Sequence, residues 1–260
     1  MRKEVLVLAA AIVLGAAIIG YSLSNRDEEP SSASEATASR ESADPIESPT
    51  DSSAGEHPVE EIAEEPKTVE VHDYGFGIDA SYGDRTASFA IVVQNPSPDY
   101  FIEQVELGVV FYDRSGTVVG SQEEYATWLG PNAKAAVHGS LQLPENVEAV
   151  RMDVEPGAIT QALQAPDRHG AFQVGAARLS FEYGTPNATA TIHSTFADDI
   201  ADAHVVAVFY DDNDKVVGGG FTFEKIRSGT RTIVKVDGLY KADGATRAEV
   251  YVTPSSLSDF

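Results

Sequence analysis

The sequence contains no cysteine. That excludes disulfides, thiolate zinc sites, cysteine nucleophiles and lipid attachment through a cysteine. Basic residues are scarce: 18 Lys plus Arg stand against 41 Asp plus Glu in 260 residues, a formal charge of -23. A surface of that sign repels phosphate backbones and anionic headgroups, so neither nucleic-acid binding nor membrane contact through a basic patch is expected. No G-x-S-x-G, P-loop or dinucleotide fingerprint is present, which leaves nucleophilic and phosphate chemistry without a home. The sequence therefore predicts no enzyme and no cofactor. Without disulfides, a fold outside the membrane needs cores large enough to stand on packing and sheet hydrogen bonding alone.

What the chain does have begins at its N-terminus. Residues 1–4 carry Arg2 and Lys3, and the run from Val5 to Leu23 is almost wholly apolar. At 1.5 Å per residue that run reaches roughly 28 Å, close to a bilayer core. The charge bias across it places the N-terminus in the cytoplasm and the rest outside. Ser22 and Ser24 also fit a signal-peptidase cut at Asn25, but the run is longer than the roughly 7–15 residues of a signal core. A single-pass signal anchor is the expectation, with a secreted protein as the alternative. Residues 24–67 hold thirteen acids, three bases and no aromatic. Such a segment cannot bury enough surface to offset ordering its backbone, so it reads as a disordered acidic linker.

The rest of the chain says one phrase twice. Residues 111–120 read FYDRSGTVVG and residues 209–218 read FYDDNDKVVG. The same spacing sets Val150, Met152, Val154 and Pro156 over Ala248, Val250, Val252 and Pro254. Upstream, Tyr82-Gly83, Ala87, Phe89 and Ile91 match Tyr183-Gly184, Ala188, Ala190 and Ile192. This is a duplicated domain and not a solenoid. Val105, Leu107, Val109 and Phe111 alternate with more polar or small neighbours, then Asp113 to Gly116 make a turn and Thr117-Val118-Val119 return. Asp at the first turn position accepts from a later backbone N–H, and Gly near the end supplies a positive φ. Asp214 stands at that last position in the second copy, and Asp tolerates it. Further strands are expected over Ser88–Val93, Ala135–Val137, Ala149–Val154, Thr232–Val236 and Ala248–Val252. Short strands and frequent turns predict two antiparallel sandwiches, all-β, over 68–163 and 172–260.

The phrases Val109-Val110-Phe111-Tyr112-Asp113 and Ala207-Val208-Phe209-Tyr210-Asp211, each with its turn and V-V-G return, resemble the FxLYD domain. Only Tyr-Asp matches that pattern strictly. The resemblance implies an immunoglobulin-like module of extracytoplasmic bacterial and archaeal proteins. It implies architecture and carries over no catalytic residue.

Three sets of residues invite a binding role. Asp198, Asp199 and Asp202, with Asp211, Asp212 and Asp214, suggest calcium, which needs six to eight oxygens. Asp202 and Asp211 lie nine residues apart on one expected strand, roughly 30 Å, so the two groups cannot share an ion. The six histidines, at 57, 72, 138, 169, 193 and 204, lack a close metal-binding pair, although His193 and His204 flank the Asp198–Asp202 loop. Tyr100, Phe101 and Trp128, the only tryptophan, are the candidates for exposed aromatics that stack on a sugar or anchor a partner. Copy two has Ile226 at the Trp128 position, which would make copy one the binder. Asn187-Ala188-Thr189 fits a glycosylation acceptor.

The expectation is a membrane-anchored cell-envelope protein whose two domains bind or scaffold another envelope protein. Glycan or peptidoglycan binding through copy one and calcium binding at the surface are the alternatives. Oligomeric state is not legible.

Overall fold

The computed structural model describes residues 68–81, 85–165 and 170–254. The apolar run 5–23, the acidic linker 24–67, Tyr82-Gly83 and residues 255–260 lie outside the described residues. Among the described residues there is no α-helix, and none offers a helix long and apolar enough to cross a membrane.

The fold is all-β and sandwich-like, built from antiparallel sheets. Copy one supplies β1 (Glu70–Asp79), β2 (Arg85–Gln94), β3 (Tyr100–Tyr112), β4 (Val118–Leu129), β5 (Lys134–Leu143) and β6 (Arg151–Gln164). They form two three-stranded sheets, ordered β1-β2-β5 and β4-β3-β6. Copy two supplies β7 (Phe172–Val174), β8 (Arg178–Glu182), β9 (Thr185–Ser194), β10 (Ile200–Tyr210), β11 (Val216–Ile226), β12 (Arg231–Asp237) and β13 (Arg247–Thr253). Its sheets are ordered β11-β10-β13 and β12-β9-β7, with β8 also paired to β9. Together β7 and β8 run along β9 as β1 runs along β2.

Each copy closes over its own core. The first gathers Phe89, Ile91, Ile102, Leu107, Phe111 and Leu129, and Phe111 meets Phe76 and Phe89 edge-on at 5.2 and 5.6 Å between centroids. The second gathers Ile192, Ile200, Val205, Phe209, Ile226 and Val236. Alternation along β3 produces this, since every second residue from Val105 to Phe111 points inward.

The repeated turn is built as its sequence predicts. Asp113 Oδ1 accepts from the backbone N–H groups of Ser115 and Thr117 at 2.8 and 2.9 Å, while Gly116 takes φ 82°. In copy two Asp211 Oδ1 accepts from Asn213 and Lys215 N–H, both at 2.9 Å. Asp214 takes the left-handed φ, 59°.

Two expectations need correction. The last strand of each copy is offset by two residues from the ungapped alignment: Phe111 faces Met152 and Phe209 faces Ala248. Met152 therefore matches Ala248, and Val154 matches Val250. A slip of two keeps the same face inward, so the hydrophobic pattern could not reveal it. The pairing also places Arg151 over the Tyr112 ring and Arg247 over the Tyr210 ring, at 4.2 and 3.7 Å. Secondly, β6 begins at Arg151 and runs on to Gln164, ten residues past the expected end at Val154. Pro156-Gly157 reads as a stop, yet β6 is a sheet edge, where a missing N–H is tolerated, and it follows β3 through register shifts.

Candidate functional site

The two copies meet through a seam that sequence reading missed. The outward face of β1-β2-β5 lies on the outward face of β11-β10-β13, joined by Ala90, Val92, Ala136, Val206, Val208, Tyr210 and Val216. Small residues make the approach possible. A Cβ on Gly75 would stand 3.0 Å from the Val216 Cβ and closer still to the Val216 carbonyl oxygen, and one on Gly77 would strike the Val217 carbonyl. A Cβ on Gly219 would lie 3.0 Å from both the Ala90 methyl and the His138 ring. Here β11 reads Val216-Val217-Gly218-Gly219-Gly220, where β4 in copy one reads Val118-Val119-Gly120-Ser121-Gln122. The signal was available: Ala87–Val93 and Val205–Tyr210 are continuously buried runs, as strands covered on both faces must be.

At one part of the seam stand two histidines. His138 on β5 and His204 on β10 both contact Phe221, with centroids 5.8 and 5.7 Å apart, and His204 stacks on Phe223 at 4.9 Å. Ser88 Oγ lies 3.4 Å from His138 Nε2. Burial, and then the neighbouring His204, push the His138 imidazole down to about 4. Burial alone lowers His204. Elsewhere on the seam, Tyr251 donates to Glu249 Oε2 at 2.7 Å, and burial, then Glu249, push the Tyr210 phenol up to about 12. Burial raises Asp73, whose charged neighbours include Arg247 and Glu249.

The three aromatic candidates are placed differently from one another. Phe101 and Trp128 are only 6% and 9% exposed. Both line a cavity of about 290 Å³ whose wall includes Lys134 of copy one and Phe172, Phe196 and Val252 of copy two. Tyr100, at the start of β3, keeps partial exposure. Sugar stacking needs an open ring face, which Trp128 does not present. Its backbone sits at φ 57°, a costly region for a bulky side chain. The fully buried Asn95 anchors this turn: its amide donates to the carbonyls of Tyr100, Leu129 and Gly130 at 2.7, 3.2 and 3.0 Å. Asn95 was legible only as part of a loop. Ile226 stands opposite Ile200 as Leu129 stands opposite Ile102, so its counterpart is Leu129 and not Trp128.

Four of the six acidic candidates are occupied with local structure. Asp199 accepts from Ser228 N–H at 3.0 Å and pairs with Lys225 at 3.0 Å; the Ser228 bond, then Lys225, hold its carboxyl below the usual range. Asp211 caps its turn, Asp212 accepts from the Asn213 amide at 2.9 Å, and Asp214 pairs with Arg247 at 2.8 Å. Asp202 lies near the opposite end of β10 from Asp211, and Asp198 precedes that strand. Among the described residues no group of three or more His, Asp or Glu converges as a metal site. His193 Nδ1 lies 3.0 Å from the Thr230 carbonyl, whereas His204 belongs to the seam. His57 and His169 lie outside the described residues. Asn187 is 2% exposed and paired within β9. With its amide turned towards Asp237 it donates to Asp237 Oδ1 at 3.0 Å, so it presents no acceptor nitrogen for a glycan.

Neither a protein-family model nor a curated protein matches the chain.

Proposed function

We propose that this is a non-enzymatic, membrane-anchored cell-envelope protein whose tandem immunoglobulin-like, FxLYD-like domains hold or position another envelope protein outside the membrane. The observation that carries the reading is the glycine-lined seam. It sets the loops of one copy in a fixed relation to those of the other, which is what a positioning module needs. The apolar run 5–23 would hold the chain in the membrane. The acidic spacer after it gives a reach of about 35 Å by random-coil scaling, more if charge extends it. A glycan platform is less well supported, because Phe101 and Trp128 are buried and only Tyr100 of the three keeps partial exposure.

The test uses the full-length chain in cells of its source, with photo-crosslinking residues at Tyr100 and at Ile233, which is 75% exposed. Capture of one discrete protein supports positioning; capture of wall polysaccharide alone overturns it in favour of glycan binding. The same cells test topology. Resistance to alkaline extraction, together with cleavage by external protease, supports the anchor, and release by alkali overturns it.

A further inference from the structure

We infer that the seam between the two copies is an acid-labile contact, and that protonation of His138 and His204 opens it while each sandwich keeps its own core. The inference is independent of where the chain resides. It begins with what faces the two rings. His138 looks onto Ser88 of β2, His204 of β10, and Gly219 and Phe221 of β11. His204 looks onto Phe221 and Phe223 of β11 and lies opposite Thr253 of β13. None of these groups is a carboxylate that would welcome a second charge.

Charged residues stand on the elements packed against the two rings. By strand alternation and pairing, Lys134 on β5, Asp73 and Asp79 on β1, Asp202 on β10, and Arg247 and Glu249 on β13 share the seam faces. Asp79 accepts from the Lys241 N–H of copy two at 3.2 Å, and Asp202 stands exposed two residues before His204. Arg247 and Glu249 bond to each other at 2.8 Å, and Glu249 also takes the Tyr251 hydroxyl. Glu124 of β4 reaches β5 on the face opposite His138, at Gly139. Lys225 of β11 pairs with Asp199. A proton on His138 thus arrives beside aromatic rings, a hydroxyl and a second imidazole. Two imidazolium ions facing one another across the seam also repel.

The sign follows from the direction of both shifts. Histidines held below their ordinary value favour the closed seam fully above about pH 6.5, and that contribution is lost as pH falls towards the depressed value. For His138, taken from 6.5 in the open form to about 4 in the closed form, the closing constant drops about 30-fold by pH 5. His204 adds in the same direction. Asp73 works the other way, since burial raises it and acid relieves that cost.

The absence of cysteine allows a direct measurement on the full-length chain. Ala136→Cys places one thiol in the seam, Ser121→Cys an exposed reference, and Ala87→Cys a thiol in the first core. Reaction with 4,4′-dithiodipyridine, relative to the reference, reports the opening constant. The expected result is a loss of seam protection of 30-fold or more between pH 7.5 and 5, with the core thiol still protected. Adding His138→Gln and His204→Gln should cut that loss to less than threefold. Unchanged protection, an equal loss in the double-Gln background, or parallel loss at the core thiol would each overturn the inference. Should the double variant not fold, the imidazole NMR titration of the wild-type chain decides. Both rings should titrate below 6.5, His138 far below it, and ordinary titration in the closed form refutes the switch.

Discussion

Replacing Gly75 with alanine sets two effects of opposite sign against each other. A strand glycine loses more backbone freedom on folding than alanine, so the change alone would stabilise by about 0.5–1 kcal/mol. At the seam, however, the new methyl would stand 3.0 Å from the Val216 Cβ and nearer to its carbonyl oxygen. The carbon–carbon optimum is about 3.5–4.0 Å, and overpacking of that kind costs about 1–3 kcal/mol. The obstruction is backbone, so no side-chain rotation relieves it. The net expectation is a loss of about 0.5–2 kcal/mol, or roughly 1–8 °C in Tm for a fold of this size. Gly108 supplies the control, since its Cβ would meet nothing nearer than the Glu155 carbonyl at 3.7 Å, and Gly108→Ala should be neutral or stabilising. The assay is calorimetry with urea unfolding at pH 7.5, where the seam histidines are neutral. If Gly75→Ala stabilises as Gly108→Ala does, β1 and β11 are not in contact and the seam is wrong.

Phe111→Ala removes a fully buried ring from the centre of the first core and should cost about 3–5 kcal/mol in urea unfolding; a loss under about 1 kcal/mol would mean that the Phe76 and Phe89 contacts are not made. Trp128, as the only tryptophan, should emit as a shielded indole and resist acrylamide quenching, and quenching at the rate of free tryptophan would contradict its burial. Asp214→Gly should change stability by no more than about 0.5 kcal/mol, because the exposed pair with Arg247 is worth at most about 1 kcal/mol and glycine removes a left-handed strain of similar size. Millimolar calcium should leave Tm unchanged, and a saturable rise would show that a site forms after all.

The sequence was most informative where one residue type has one local job. Asp113 and Asp211 cap their turns because a carboxylate two residues from a free N–H has few alternatives, and Gly116 and Asp214 take the positive φ that few residues tolerate. Alternation placed Val105 to Phe111 and both cores. Relations between distant segments were harder to read. A two-residue slip between Met152 and Ala248 changes neither face nor hydrophobicity, so no pattern marks it. Trp128 and Phe101 looked like surface aromatics because what covers them, Phe172, Phe196 and Val252, belongs to the other copy. The seam had left a trace in the unbroken apolar runs of β2 and β10, but such a run equally suits a strand within a single thick core. For Asp199, Asp211 and Asp214 the reason is simpler: a carboxylate engaged with a turn N–H or a basic side chain looks, as a letter, like one waiting for a cation.

Gly219 of β11 distinguishes the two copies at the seam. The two units are similar, but where copy one has Ser121 copy two has Gly219, whose missing side chain lets β11 receive Ala90 and His138 of the other copy; Gly218 matches Gly120, and a Cβ on Gly220 would meet Asp237 and Gly238 of its own copy. The two halves are therefore not interchangeable. Exchanging β4 and β11 would bring Ser121 to the meeting face, against Ala90 and His138, and wedge it apart. The far face of copy two is built differently. On the sheet farthest from the seam Lys235 bridges Glu182 and Asp237, both at 2.9 Å, where a further unit joined in the same manner would require bare backbone. One side chain fewer on one strand thus makes the two copies unlike partners at their contact.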